Sequence, residues 1–319
     1  MAGVDHAFRA FFGHVEAIAW LPVVYAVALQ CGRLLVRSRA WRNILAAAYP
    51  ESRVRWRSVF GAYVAGAGVN AIIPVRSGDL LKLFLVRRRV EGATYPTLAA
   101  SLLVETLVDA VLSAALIAWA LETHVLPGVH VLHHLPSVDW FWLFRHPHRA
   151  LIVTGGTLVV GFAVGLWAAA RVAAFRRRVA KGFAILRTPG RYLRSVAALQ
   201  VLDWGLRLAA IYFFLRAFHV HADLRNTLRV QVTASLSTIV PLTPAGIGTE
   251  QALIVYVLRG QAARSLLLSL SVGMKAILSA LNVTLGLAAI AVMLRTLRWR
   301  RAVEQDEALD RPTDQGGSS

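Results

Sequence analysis

Two carboxylates spaced four residues apart, Glu105 and Asp109, lie in a long apolar stretch of the chain. On a helix this spacing places both side chains on one face. Two like charges so close together favour protonation of one carboxylate, or they require a neighbouring cation. Ionisable residues inside apolar stretches are costly and are functional candidates by default. The pair therefore predicts either a proton relay or an ion pair with Arg207 or Lys275, which lie in other apolar stretches.

Three further charged residues belong to the same chemistry. Asp203 and Arg207 are also four residues apart, and the acid comes first, which is the favourable order for an ion pair within one helix. Lys275 lies near the middle of the last apolar stretch and needs a partner, for which Asp109 or Glu105 is the predicted choice.

Two similar stretches break the apolar pattern. Residues 70–79 read Asn-Ala-Ile-Ile-Pro-Val-Arg-Ser-Gly-Asp, and residues 237–250 read Ser-Thr-Ile-Val-Pro-Leu-Thr-Pro-Ala-Gly-Ile-Gly-Thr-Glu. In each, two β-branched residues precede a proline, and a glycine and an acid follow it. The predicted turn residues are Pro74, Gly78, Pro241, Pro244, Gly246 and Gly248. A helix restarting after each turn would present free backbone N–H groups, which suit a phosphate.

The side chains at these turns have two interpretations. Asn70, Arg76 and Asp79 at the first turn and Glu250 at the second could face a lipid headgroup. Alternatively, the two acids stabilise the first turns of their own helices and touch no substrate, with Arg76 paired to Asp79.

The composition excludes an ordinary soluble protein. Of the 319 residues, 57% are hydrophobic and only 16% are charged, whereas soluble domains average about 45–50% and about 25%. The apolar stretches are long enough to cross a hydrocarbon core of about 30 Å. The chain is therefore predicted to be an all-α polytopic membrane protein. Its net charge of +18 comes largely from basic residues beside these stretches, as membrane topology requires, and no nucleic-acid partner is expected.

Charge and length together predict the topology. Basic segments at 33–57, 82–89, 171–194 and 295–301 are expected to be cytoplasmic. The segments 58–89 and 230–258 are too short for two crossings and are predicted to be re-entrant hairpins. About five full spans remain, at 17–36, 93–120, 150–170, 196–218 and 266–294.

The spans and hairpins form an inverted repeat. Residues 17–120 and 196–294 each contain a span, a hairpin and a long span, and the single span at 150–170 reverses the orientation of the second half. The membrane domain covers 1–301. Residues 302–319 are predicted to be a disordered cytoplasmic tail.

No nucleotide-binding, nucleophile or metal signature is present, so no catalytic residue, cofactor or metal is expected. The single cysteine, Cys31, excludes an intramolecular disulfide.

The residues 70–79, the Glu105-Thr-Leu-Val-Asp109 element and the Pro244-Ala-Gly-Ile-Gly-Thr-Glu250 element resemble the membrane domain of bacterial lysylphosphatidylglycerol synthases and related flippase-like proteins. The resemblance covers roughly residues 15–300, although Asp79 stands where the family usually has Glu. It implies a stand-alone translocator in the inner membrane, without the soluble aminoacyltransferase domain.

The expected function is therefore translocation of a phospholipid, glycolipid or polyprenyl-linked lipid across the cytoplasmic membrane, without enzymatic activity. Two alternatives stay open. One is a membrane enzyme that uses Glu105 and Asp109 as acid and base on a lipid-linked substrate. The other is a scaffold whose basic segment 171–194 recruits a soluble glycosyl- or aminoacyltransferase.

Overall fold

A computed structural model describes residues 18–73, 77–123, 173–239 and 248–309. All the regular elements in these ranges are helical. In the first half they are α1 (Trp20–Ala48), α2 (Trp56–Ile72), α3 (Ser77–Arg87) and α4 (Tyr95–Glu122). They continue with α5 (Ala173–Gly182), a 3-10 turn (Ala184–Arg187), α6 (Pro189–Tyr192), a π turn (Leu193–Ala197), α7 (Ala198–Ala217), α8 (Leu224–Ile239), α9 (Thr249–Val257) and α10 (Arg264–Leu309).

Three helices in the described residues are long and apolar enough to cross a membrane, at Tyr95–Ala120, Pro189–Ala217 and Arg264–Met293. They correspond to the predicted spans 93–120, 196–218 and 266–294. The second of them begins earlier than predicted, because α6 and the π turn run into α7 without a break. The predicted span 150–170 lies outside the described residues.

Helix α1 differs most from its prediction as a span ending at residue 36. It continues without interruption to Ala48. Arg33 and Arg37, which were assigned to a cytoplasmic segment, therefore lie well inside a 29-residue helix. The charge pattern did not predict the length of this helix, because it counts basic residues without regard to buried acids that can neutralise them.

Three antiparallel helix pairs build the bundle. Helix α1 runs against α7, since Ala19 hydrogen-bonds Ala217 at one end and Asn43 hydrogen-bonds Ser195 at the other. Helix α2 packs against α10 at a contact so close that a Cβ added to Gly68 would lie 2.7 Å from the Cα of Gly286. Small residues at such a crossing let two backbones approach, which favours packing in lipid.

The third pair joins α4 to α8. The hydroxyls of Ser113 and Ser235 lie 3.5 Å apart, and Leu116 and Val232 belong to one apolar cluster between the helices. Helix α2 thus packs against α10, the last helix of the second half of the chain, and α8 packs against α4, the last long helix of the first half.

The helix pairs α2–α3 and α8–α9 surround the two proline-containing stretches. Their members are 17, 11, 16 and 9 residues long. At 1.5 Å per residue the longest is about 26 Å, which is less than a hydrocarbon core of about 30 Å. Residues 74–76 and 240–247 are outside the described ranges, and with them the predicted turn residues Pro74, Pro241, Pro244 and Gly246 and the candidate headgroup residue Arg76.

The structure also describes parts of two peripheral segments, the basic segment 171–194 and the predicted tail 302–319. In the basic segment 171–194, α5 packs against the start of α4, where the hydroxyl of Thr97 donates to the carbonyl of Arg178 at 2.7 Å. Helix α10 continues to Leu309, so residues 302–309 of the predicted disordered tail are helical. Residues 310–319 are outside the described part of the chain.

Candidate functional site

The centre of the bundle contains a cluster of charged residues from three helices. Its main cation is Arg37 on α1. The Nη2 atom of Arg37 lies 3.2 Å from Glu105 Oε1 and 2.7 Å from Asp109 Oδ2, both on α4. Its Nη1 atom lies 3.7 Å from Asp203 Oδ2 on α7. One guanidinium therefore binds acids from both halves of the chain, as its fixed fork of N–H donors allows.

Arg33, one turn before Arg37, extends this cluster. Its Nε and Nη2 atoms donate to the two carboxylate oxygens of Asp203 at 3.0 and 3.4 Å, which is a bidentate pair. Its Nη1 atom donates to Gln30 at 2.8 Å, and Gln30 donates to Asn282 on α10 at 3.4 Å. The polar network thus reaches a fourth helix.

Neutral donors fix the orientation of the acids. Tyr63 on α2 donates its hydroxyl to Glu105 Oε1 at 3.0 Å, and Trp204 on α7 donates its indole N–H to Asp109 Oδ1 at 2.8 Å. The side-chain amide of Gln200 donates to the backbone carbonyl of Glu105. Buried carboxylates need such donors because unpaired charge is costly away from water.

Arg207 lies beside this cluster without joining its ion pairs. Asp203, its predicted partner, binds Arg33 and Arg37 instead. Among the described residues Arg207 has no carboxylate within ion-pairing distance, and its guanidinium carbon lies 5.8 Å from the centre of the Trp204 ring. It remains close enough to interact electrostatically with the cluster. The predicted Asp203–Arg207 pair is therefore wrong, since the arginines of α1 approach Asp203 more closely.

A second polar group holds the pair α2–α3 together. Asn70 near the end of α2 accepts the backbone N–H of Gly78 at 2.7 Å and donates to Asp79 at 3.4 Å. Asp79 also pairs with Lys82 at 2.9 Å, and the ammonium of Lys82 lies 4.3 Å from the centre of the Tyr63 ring. Tyr63 therefore contacts both this group and the central cluster.

The second pair of short helices has a related arrangement. Glu250, in the first turn of α9, pairs with Lys275 of α10 at 2.6 Å. The predicted partners of Lys275, Glu105 and Asp109, bind Arg37 instead. Gly248 precedes α9 with a φ of 91°, in the left-handed region where a side chain is strained, and its N–H donates to Gln251 at 2.7 Å. In both pairs the acid at the start of the second helix binds a lysine.

The described residues contain no group of three or more His, Cys, Asp and Glu that could hold a metal ion. The acids of the central cluster are bound to guanidinium groups. The site is instead a group of paired charges within an apolar bundle.

A family model described as lysylphosphatidylglycerol synthase TM region matches residues 6–286. The chain belongs to this family. The lysylphosphatidylglycerol synthase TM family and the three apolar helices together identify a multi-pass membrane protein linked to lipid metabolism. No curated protein and no solved structure matches the chain significantly.

In this chain the acids Glu105 and Asp109 were identified from their spacing, and the arginines of the cluster, Arg33 and Arg37, were missed as their partners. Arg33 and Arg37 have the same four-residue spacing as Glu105 and Asp109. This spacing was the signal that could have identified the two arginines as partners of the acids. Lys82 and Tyr63 carried no comparable signal, because a lysine near a basic triplet and a tyrosine in an apolar helix are ordinary features.

Proposed function

We propose that this protein translocates a lipid with an anionic, phosphate-bearing headgroup across the cytoplasmic membrane. The observation that carries the proposal is the central cluster, in which Arg37 binds acids from two other helices of a membrane domain. Such a cluster offers a polar headgroup a path through the apolar bundle, while the acyl chains stay in the bilayer. Membership in a membrane protein family that is associated with lipid metabolism supports the same conclusion.

The helix arrangement supports an alternating-access mechanism. Helices α1–α4 and α7–α10 have the same order, with two short helices between two long ones. The corresponding helices α1 and α7 run antiparallel, as an inverted repeat requires. We infer that α2–α3 is a re-entrant hairpin from the cytoplasm and α8–α9 one from the outside, with the C-terminus in the cytoplasm.

Arg207 is the proposed contact for the headgroup phosphate. Arg33 and Arg37 of α1, Lys82 of α3 and Lys275 of α10 are already paired with carboxylates. The half-buried guanidinium of Arg207 has none in the described residues. Its planar set of N–H donors matches two phosphate oxygens at once.

A transport role is favoured over an enzymatic one by the state of the acids. A general acid or base must exchange protons with a substrate at hydrogen-bonding distance. The carboxylate oxygen Oε1 of Glu105 instead accepts hydrogen bonds from Arg37 and Tyr63. The carboxylate of Asp203 is paired with two arginines. Glu105 and Asp203 therefore serve as counterions to the arginines, which suits a protein that moves a charged headgroup.

The test uses purified protein in liposomes that contain a trace of fluorescent lipid, with a membrane-impermeant quencher added outside. Two probes, a phosphatidylglycerol and a polyprenyl phosphate, separate the two sources of a phosphate headgroup. We expect at least one probe to move between leaflets. In Arg207→Gln the rate should fall about tenfold to a hundredfold, because a hydrogen bond to a charged group contributes about 1.5–3 kcal/mol.

Arg207→Lys should retain part of the rate, and Arg225→Gln, at an exposed position on α8, is the matched control that should retain all of it. If folded protein moves neither probe while an active relative does so in parallel, the proposed function is wrong. If Arg207→Gln moves lipid at the wild-type rate, translocation stands and Arg207 is not the contact.

A further inference from the structure

The central cluster is balanced in charge. Arg33, Arg37 and Arg207 contribute three positive charges, and the three acids Glu105, Asp109 and Asp203 contribute three negative ones. The two hairpin pairs, Asp79–Lys82 and Glu250–Lys275, are also balanced. Among the described residues Arg207 therefore lacks a carboxylate partner, but its charge is still needed to offset the third acid.

This balance has a consequence for an anionic headgroup. When the headgroup binds Arg207, the cluster and its ligand together carry one uncompensated negative charge. Uncompensated charge in a low-dielectric interior is strongly unfavourable. Buried carboxyl groups relieve such a charge by taking up a proton. Binding of an anion should therefore be accompanied by uptake of one proton at one of the three acids.

Asp109 is the acid best placed to take up that proton. Its side chain is 23% exposed, against 4% for Glu105 and 1% for Asp203, so water reaches it most easily. Its one ion-pair partner is Arg37, whereas Asp203 binds two arginines. Protonation of Asp109 also removes the repulsion from Glu105, one turn away on the same helix face.

The surroundings tolerate a neutral Asp109. Its Oδ1 atom still accepts the indole N–H of Trp204, and Arg37 still binds Glu105 and Asp203. The helices packed against α4 carry further charged or titratable groups, and Tyr63 of α2 is added by contact. They are Tyr25, Cys31, Arg33, Arg39 and Arg42 on α1, Asp79, Lys82 and Arg87 on α3, Arg177, Arg178 and Lys181 on α5, Arg207, Tyr212 and Arg216 on α7, and Arg225 and Arg229 on α8. Of these, Arg33 and Arg207 belong to the cluster, and Tyr63 contacts Glu105.

We propose that the protein is a proton–lipid symporter in which Asp109 carries the proton. A proton from water on the side of lipid entry binds an Asp109 carboxylate oxygen as the anionic headgroup binds Arg207. Both are released to the other side, and the carboxylate then pairs again with Arg37. One proton and one negative charge move together, so the step is electrically neutral. This proposal rests on the proposed translocation of an anionic lipid.

The experiment imposes a pH difference across liposomes containing the protein and measures the leaflet distribution of a trace fluorescent phosphatidylglycerol. With one proton per lipid, a difference of one pH unit should produce a ratio of about ten between the leaflets. The lipid should accumulate in the leaflet facing the alkaline compartment. Clamping the membrane potential with potassium and valinomycin should not change this ratio.

Asp109→Asn fixes the neutral state of this side chain and should remove the dependence of the leaflet ratio on the pH difference. Glu122→Gln, on the same helix at an exposed position, should behave as wild type, and protein-free liposomes set the background. Proton uptake by wild-type protein is followed in parallel with a trapped pH-sensitive dye, so the result does not depend on the folding of any variant.

Wild-type protein that exchanges the probe but gives equal leaflets, with no proton uptake, would overturn the symport proposal and leave translocation intact. A pH-dependent ratio that survives in Asp109→Asn would overturn the role of Asp109. Absence of any exchange by folded wild-type protein would reject both proposals together.

Discussion

At the scale of single residues, Arg37 determines the stability of the central cluster. Its guanidinium binds Glu105 and Asp109 of α4 and Asp203 of α7. Asp203 keeps Arg33 if Arg37 is removed, but the two acids of α4 lose their cation. Two unpaired carboxylates one turn apart in an apolar bundle are unfavourable, both from lost solvation and from mutual repulsion.

Arg37→Met should therefore lower the free energy of unfolding by about 3–5 kcal/mol, the range found when one partner of a buried ion pair is removed. The measurement is the unfolding midpoint of the purified protein in detergent. Arg225→Met, at an exposed position on α8, is the control and should unfold close to wild type.

Neutralising the acids in the same chain, as Arg37→Met with Glu105→Gln and Asp109→Asn, should restore most of the loss. This rescue separates charge from packing, because the triple variant still lacks the arginine side chain. Equal midpoints for Arg37→Met and Arg225→Met would contradict the assignment of Arg37.

At the scale of helices, the pair α2–α3 depends on a backbone contact. A Cβ added to Gly78 would lie 1.9 Å from the carbonyl oxygen of Gly66 and 2.8 Å from Oδ1 of Asn70. That Asn70 oxygen is the acceptor for the N–H of Gly78, so the same side chain fixes the start of α3. The close approach in turn positions Lys82 against Tyr63.

Gly78→Ala should separate α2 from α3 and lower stability by about 1–3 kcal/mol or more, since overpacking against backbone cannot be relieved by a rotamer change. Gly205→Ala is the matched control, because nothing lies within 4 Å of its added Cβ. In a helix interior that change should be neutral or stabilising by up to about 1 kcal/mol. Thermal unfolding in detergent compares the two, and a Gly78→Ala protein as stable as Gly205→Ala would contradict the packing.

At the scale of the whole molecule, the three antiparallel pairs tie the two halves together. The first helices of the halves, α1 and α7, pack on each other, and each half places its first short helix against the last long helix of the other. A change in the angle between the halves would therefore shift the cluster helices α1, α4 and α7 relative to one another. This is the motion that alternating access requires.

The proposed re-entrant topology predicts which positions share a side of the membrane. In a Cys31→Ala background, single cysteines at Arg53 and Arg88, before α2 and after α3, should react with an impermeant thiol reagent from the cytoplasm. Cysteines at His221 and Ala263, before α8 and after α9, should react from the outside. All four positions are exposed. Opposite-side labelling within either pair would mean full crossings in place of hairpins.

The extent of prediction from sequence differs between these scales. Hydropathy and length identified the three apolar helices, because both follow from local composition. The resemblance to the lysylphosphatidylglycerol synthase membrane domain was confirmed by the family match over residues 6–286. The length of α1 was underestimated, because its arginines were taken as the end of a span.

What the sequence determined by itself is that the chain is a helical membrane protein with acids and bases within its apolar stretches. Which acid binds which base was decided by the tertiary structure. Arg37 and Glu105 are 68 residues apart in the sequence, and Arg33 and Asp203 are 170 residues apart. No local sequence pattern predicts contacts over such separations. Asp203 pairs with Arg33 and Arg37 and not with Arg207, because the antiparallel packing of α1 on α7 brings these arginines next to Asp203. Interhelical geometry therefore leaves Arg207 without a carboxylate at ion-pairing distance among the described residues, and the proposed headgroup contact rests on that arrangement.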